Sequence, residues 1–121
     1  MEKEFVPYAE ALELKELGFD EPCLAAYSKF AIYNINEGDL FIIFTERFDD
    51  IDKLNCISAP LYQQVFRWFR EKYGLYSAID GLEKRLYYKI TQTNEYSKEY
   101  NTYEEAELAC LKKLIEIVKN D

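Results

Sequence analysis

"APLYQQVFRWFREKYGL", Ala59–Leu75, stands between two segments patterned for strands, so its own conformation decides the fold class. Placed at 100° per residue, Leu61, Tyr62, Val65, Phe66, Trp68, Phe69 and Tyr73 share an arc of about 160°. Gln63, Gln64, Arg67, Arg70 and Glu71 fill the opposite side. Rings and arginines therefore occupy different faces, which predicts an amphipathic helix with Trp68 in the core. Pro60 suits its first turn, and Gly74-Leu75 its end. Lys72 falls inside the apolar arc but close to the helix end, where its stem can snorkel to water.

Working outward, Pro7 to Leu17 reads as a helix, with Pro7 at its first position and Gly18-Phe19 as the same kind of stop. Cys23 to Thr45 reads as β structure. It predicts a hairpin of Lys29–Ile35 against Leu40–Thr45 around the turn Asn36–Asp39. Leu40–Phe44 is apolar on both faces and is expected as a central strand. Glu46–Pro60 reads as a loop. Tyr76–Ile79 and Arg85–Thr91 predict a second hairpin around Asp80-Gly81. Thr102 is the expected N-cap of a last helix, with Glu105 three residues on as in a capping box. Leu108, Leu111, Leu114, Ile115 and Val118 give that helix its apolar face. The expected architecture is α+β: a single domain over residues 1–121, an antiparallel sheet with helices packed mainly on one face, in the order α-ββ-α-ββ-α.

Composition narrows the function. The 121 residues carry a formal net charge of −8, and all of the imbalance lies in residues 1–57; residues 58–121 are neutral. Such acidity argues against a binder of duplex DNA, which needs a broad positive surface. Met1-Glu2-Lys3-Glu4 is charged and no apolar run follows, so no secretory leader is expected. Leu40–Phe44, the longest apolar run, is too short for a bilayer. Cys23, Cys56 and Cys110 are odd in number and lack CxxC spacing, which predicts free thiols and a cytosolic protein without a membrane anchor.

Chemistry leaves few marks. Without histidine the chain lacks the commonest general base and metal ligand, and no phosphate loop, GxGxxG, GxSxG or HExxH occurs. No enzyme, metal or cofactor is expected on these grounds, although paired carboxylates are spatial and invisible in a sequence. Glu46, Asp49, Asp50 and Asp52 cluster in "ERFDDID". Counted from Asp50, the sixth and twelfth positions are Asn55 and Leu61, so an EF-hand is excluded. The four acids are the candidate contact surface for a basic protein partner, including by mimicry of nucleic acid. The alternative is a weak single-stranded nucleic-acid binder. Arg67 and Arg70, one helical turn apart, could clamp an anion. In an extended strand Arg85, Tyr87 and Lys89 share one basic, aromatic face.

Three segments, "FVPYAEALELKELGFDEPC", "APLYQQVFRWFREKYGL" and "YNTYEEAELACLKKLIEIVK", together resemble short uncharacterised proteins encoded in gut bacteria, their phages and integrated elements. The resemblance implies a mobile-element context and a cytosolic product. It implies no activity and no site residues. The expected function is that of a small accessory protein working through protein–protein contacts, as a homodimer in one version.

Overall fold

The computed structural model describes residues 2–28, 40–42 and 56–120. The fold is α+β, with antiparallel sheets and helices packed on them. The backbone divides into two compact units, Met1–Leu61 and Tyr62–Asp121, each described by itself below.

In the first unit, helix α1 (Tyr8–Glu16) follows Pro7, whose extended backbone (φ −61°, ψ 158°) precedes the first helical turn. The helix stops as its sequence predicts. Gly18 adopts φ 98°, its N–H donates to the Lys15 carbonyl, and the Phe19 N–H reaches back to Leu14. This double bond satisfies carbonyls that a helix end otherwise leaves open. Strands β1 (Ala25–Ser28), β2 (Leu40–Ile42) and β3 (Cys56–Ala59) form one antiparallel sheet in the order β2-β1-β3. α1 packs on β3, and the core gathers Val6, Leu14, Phe19, Ala25, Ala26 and Ile57. The Tyr27 hydroxyl donates to the Val6 carbonyl at 2.7 Å and so ties the sheet to the N-terminal segment.

One expectation changes here, and two others fall partly outside the described residues. Leu40–Ile42 pairs with Ala25–Tyr27, with Ala25 opposite Ile42 and Tyr27 opposite Leu40. Lys29–Ile35, the predicted partner, lies outside the described residues, as do Asn36–Asp39 and Phe44. Among the described strands β2 lies at an edge, and the centre belongs to Ala-Ala-Tyr-Ser; its small Ala25 and Ala26 are fully buried. Part of the predicted loop is strand β3, whose four residues are too few to display an alternating pattern.

In the second unit, helix α2 (Tyr62–Tyr73) buries Tyr62, Val65, Trp68 and Phe69 and exposes Gln63, Arg67, Glu71 and Lys72. Trp68 meets Phe69 and Tyr73 edge-on, at ring separations of 5.1 and 5.4 Å. The Lys72 stem folds back so that its ammonium sits 5.0 Å from the Trp68 ring centre. Strands β4 (Ser77–Leu82), β5 (Arg85–Ile90) and β6 (Glu95–Tyr96) form an antiparallel sheet in that order. Helix α3 (Tyr103–Lys119) covers one face of it and also packs against α2. The Thr102 hydroxyl accepts from the Glu105 N–H at 3.1 Å, as the cap predicts.

The second hairpin turns three residues later than expected. Leu82 pairs with Arg85, so Glu83-Lys84 is the turn, with Lys84 at φ 64°. Asp80-Gly81 lies inside β4. Gly81, at φ 119°, approaches its neighbour so closely that a Cβ would collide with the Arg85 carbonyl. Its glycine serves backbone approach, not the turn. Gly81→Ala is expected to cost about 2 kcal/mol or more. Lys84→Gly, which relieves a left-handed lysine, should gain about 0.5–1 kcal/mol. Thermal unfolding of the two variants checks both signs. A third strand, β6, follows because Asn94 accepts φ 55° and reverses the chain after β5. Beyond it, Leu86 and Tyr100 exchange backbone hydrogen bonds, continuing the pairing.

Candidate functional site

Side chains alternate across the sheet of the second unit, and the register sorts them. Ala78 lies opposite Lys89, Asp80 opposite Tyr87, Leu82 opposite Arg85, and Lys89 opposite Tyr96. These residues share the face away from α3. Arg85, Tyr87 and Lys89 are thus brought together as their alternation predicts. They are joined by Tyr96, whose ring lies 5.8 Å from that of Tyr87 and 5.8 Å from the Lys89 ammonium. Leu82 and Tyr96 are 77% and 60% exposed, so large apolar groups face water here. The face is electrically mixed. Arg85 reaches Glu99 at 4.0 Å, and the Asp80 carboxylate beside Tyr87 holds the phenol above its ordinary range.

The other arginine pair stands elsewhere in this unit. Arg67 is exposed on α2, whereas Arg70 is half-buried and lines a cleft of about 160 Å³. α2 contributes Gln63, Phe66 and Arg70 to the cleft, β4 contributes Ser77–Ile79, and α3 contributes Tyr103, Glu107 and Cys110. Glu107 is only 8% exposed. Burial, reinforced by the nearby Glu104 charge, pushes its carboxyl up to about 7. Burial likewise pushes the Cys110 thiol up to about 11, and the Ser77 hydroxyl bonded to it offsets only part of that rise. Such a thiol stays protonated near neutrality, unlike an activated nucleophile.

Glu107 escapes a sequence reading because an acid near a helix N-terminus suits the helix dipole. Its spacing from Tyr103 and Cys110, four back and three on, was the available signal, since those positions share one helical face. Glu46, Asp49, Asp50 and Asp52 lie outside the described residues. Among the described residues no group of three or more acids and cysteines is placed to hold a metal ion, and no helix is long and apolar enough to cross a membrane. Cys23 and Cys110 are both free and buried. Comparison of the chain with family models, curated proteins and solved structures gave no match.

Proposed function

We propose that this chain is a non-enzymatic accessory protein of the cytosol, in a phage or mobile-element context, that acts through protein–protein contacts. Its contact surface is the open face of β4–β6, and the occupant of that face is a second copy of the chain. The carrying observation is the exposure of Leu82 and Tyr96 on a sheet whose opposite face is already covered by α3. The face supports a two-fold contact because it is self-complementary: Asp80 and Lys89 carry opposite charges on neighbouring strands, so each can meet the other in a partner copy. Residues 58–121 are neutral overall, so this half brings no net repulsion to the pairing. Glu46, Asp49, Asp50 and Asp52 remain the candidate contact for a basic partner, and pairing doubles their number in the assembly.

Single-stranded nucleic acid is the competing occupant, favoured by the Tyr87–Tyr96 pair with Lys89 above it. Two features count against it. Leu82 offers no ring for a base to stack on, and Asp80 repels phosphate from the centre of the face. Sedimentation equilibrium from micromolar to millimolar protein is expected to show a monomer–dimer equilibrium. Leu82→Glu and Tyr96→Glu should each abolish the dimer without lowering the melting temperature, since both side chains are exposed. A wild type that stays monomeric throughout contradicts the proposal. So does a low-salt oligonucleotide shift that Arg85→Glu and Lys89→Glu remove, because the face would then belong to nucleic acid.

A further inference from the structure

The cleft between α2, β4 and α3 plays no part in that contact surface, and it holds two charged groups whose charge is unspent. Glu107 is 8% exposed as a residue and lines the cleft; no hydrogen bond or ion pair reaches its carboxyl among the described residues, and since no fully buried side-chain oxygen there lacks a partner, its carboxyl oxygens open into the cleft. Arg70 lines the same cleft and likewise makes no ion pair among them. Two opposite charges that line one small cleft ordinarily pair with each other, because desolvated charges are costly to leave apart. Here they make no ion pair, and Phe66, Ile79, Gln63 and Tyr103 complete the lining. The volume equals that of about five water molecules in the liquid, which suits a compact ligand.

We infer that the cleft binds a small zwitterion, a compact aliphatic α-amino acid, with its carboxylate on the Arg70 guanidinium and its ammonium on the Glu107 carboxylate. Arginine is suited to the first task because its fork matches a carboxylate in two bonds. For the second task, a carboxyl that no protein donor satisfies gains most from an incoming N–H donor. Phe66 and Ile79 then meet the aliphatic side chain. A metal ion is the poorer occupant, because the cleft lining offers Glu107 and Cys110 alone as carboxylate or thiol ligands, and among the described residues no group of three or more such side chains is placed to hold an ion.

The inference requires Glu107 to be ionised in the complex. The groups that act on it are Tyr103, Glu104 and Cys110 on its own helix; α2 adds Arg70 to the cleft lining, and β4 only the uncharged Ser77. Glu107 is the group among them that titrates near neutrality, so binding is expected to tighten from pH 6 to pH 8.

The test is titration of the full chain with individual aliphatic amino acids at pH 8, followed by calorimetry and by amide NMR shifts. At least one is expected to bind saturably in the millimolar range or tighter, shifting residues of α2, β4 and α3. Glu107→Gln and Arg70→Met should each weaken it by more than about tenfold, the least expected from losing a charge-assisted hydrogen bond. Because both variants should keep their cooperative unfolding, lost binding reports on the site and not on the fold. The corresponding amine alone and acid alone should bind more weakly than the amino acid. Absence of saturable binding by any of them overturns the inference. So does binding that either variant leaves unchanged, or an amine or acid that binds as tightly as the zwitterion.

Discussion

Replacing Trp68 with alanine is expected to destabilise the protein by about 3–5 kcal/mol, the usual cost of deleting a large ring from a packed core. The indole is 6% exposed and contacts both Phe69 and Tyr73 edge-on. Removing it costs the transfer free energy of the ring, two aromatic contacts and the cavity left behind. Lys72 also loses the ring beneath its ammonium, a smaller effect at an exposed position. The melting temperature should fall by about 10 °C or more. Arg67→Ala, on the exposed side of the same helix, is expected to change it little. A Trp68→Ala protein that melts with the wild type would mean that the ring lies outside the core, and the amphipathic reading of α2 would fail with it.

Glu107→Gln should act in the opposite direction, and only above acid pH. The folded carboxyl titrates at about 7 against an ordinary value of 4.5. Below about pH 4.5 both folded and unfolded chains hold the proton, so the wild type pays nothing for it. As pH rises toward 7 the unfolded chain releases its proton while the folded chain keeps it, and stability falls. Above pH 7 the loss is complete, on the order of 1–2 kcal/mol once solvent screening of a carboxyl that opens to a cleft is allowed for. Glutamine resembles the protonated acid and does not ionise. Urea unfolding at pH 4, 6 and 8 should therefore show no difference from wild type at pH 4 and a more stable variant at pH 8. A variant less stable than wild type at pH 8, or a difference that does not grow with pH, would mean that the carboxylate is well satisfied in the fold.

How much of this was legible in the sequence depended on whether the cause was local. The Gly18-Phe19 stop, the Thr102 cap and the two faces of α2 are set by residues within a turn or two of each other, and each was read correctly. The alternation of Arg85, Tyr87 and Lys89 is local too, and the register confirms that they share a face. Asp80-Gly81 misled because Asp-Gly is a favoured turn pair. The chain instead spends that glycine on a close approach to Arg85 and accepts Lys84 in a left-handed turn. β3 was hidden by its brevity, and the pairing of β2 with β1 by the fact that pairing order is not written in any one strand. The cleft was out of reach for a further reason: its walls come from residues 63–70, 77–79 and 103–110, which only tertiary packing brings together. Arg70, which the sequence pairs with Arg67 as an anion clamp, lines the cleft that Glu107 also lines, while Arg67 stays exposed on α2.

The central claim, that the open face of β4–β6 is where two copies meet, is tested most directly by amide NMR spectra recorded on dilution from millimolar to micromolar protein. The account predicts concentration-dependent shifts that cluster at Asp80, Leu82, Arg85, Tyr87, Lys89 and Tyr96, and that vanish in Leu82→Glu. Spectra that do not change with concentration, or shifts that cluster away from this face, would contradict it.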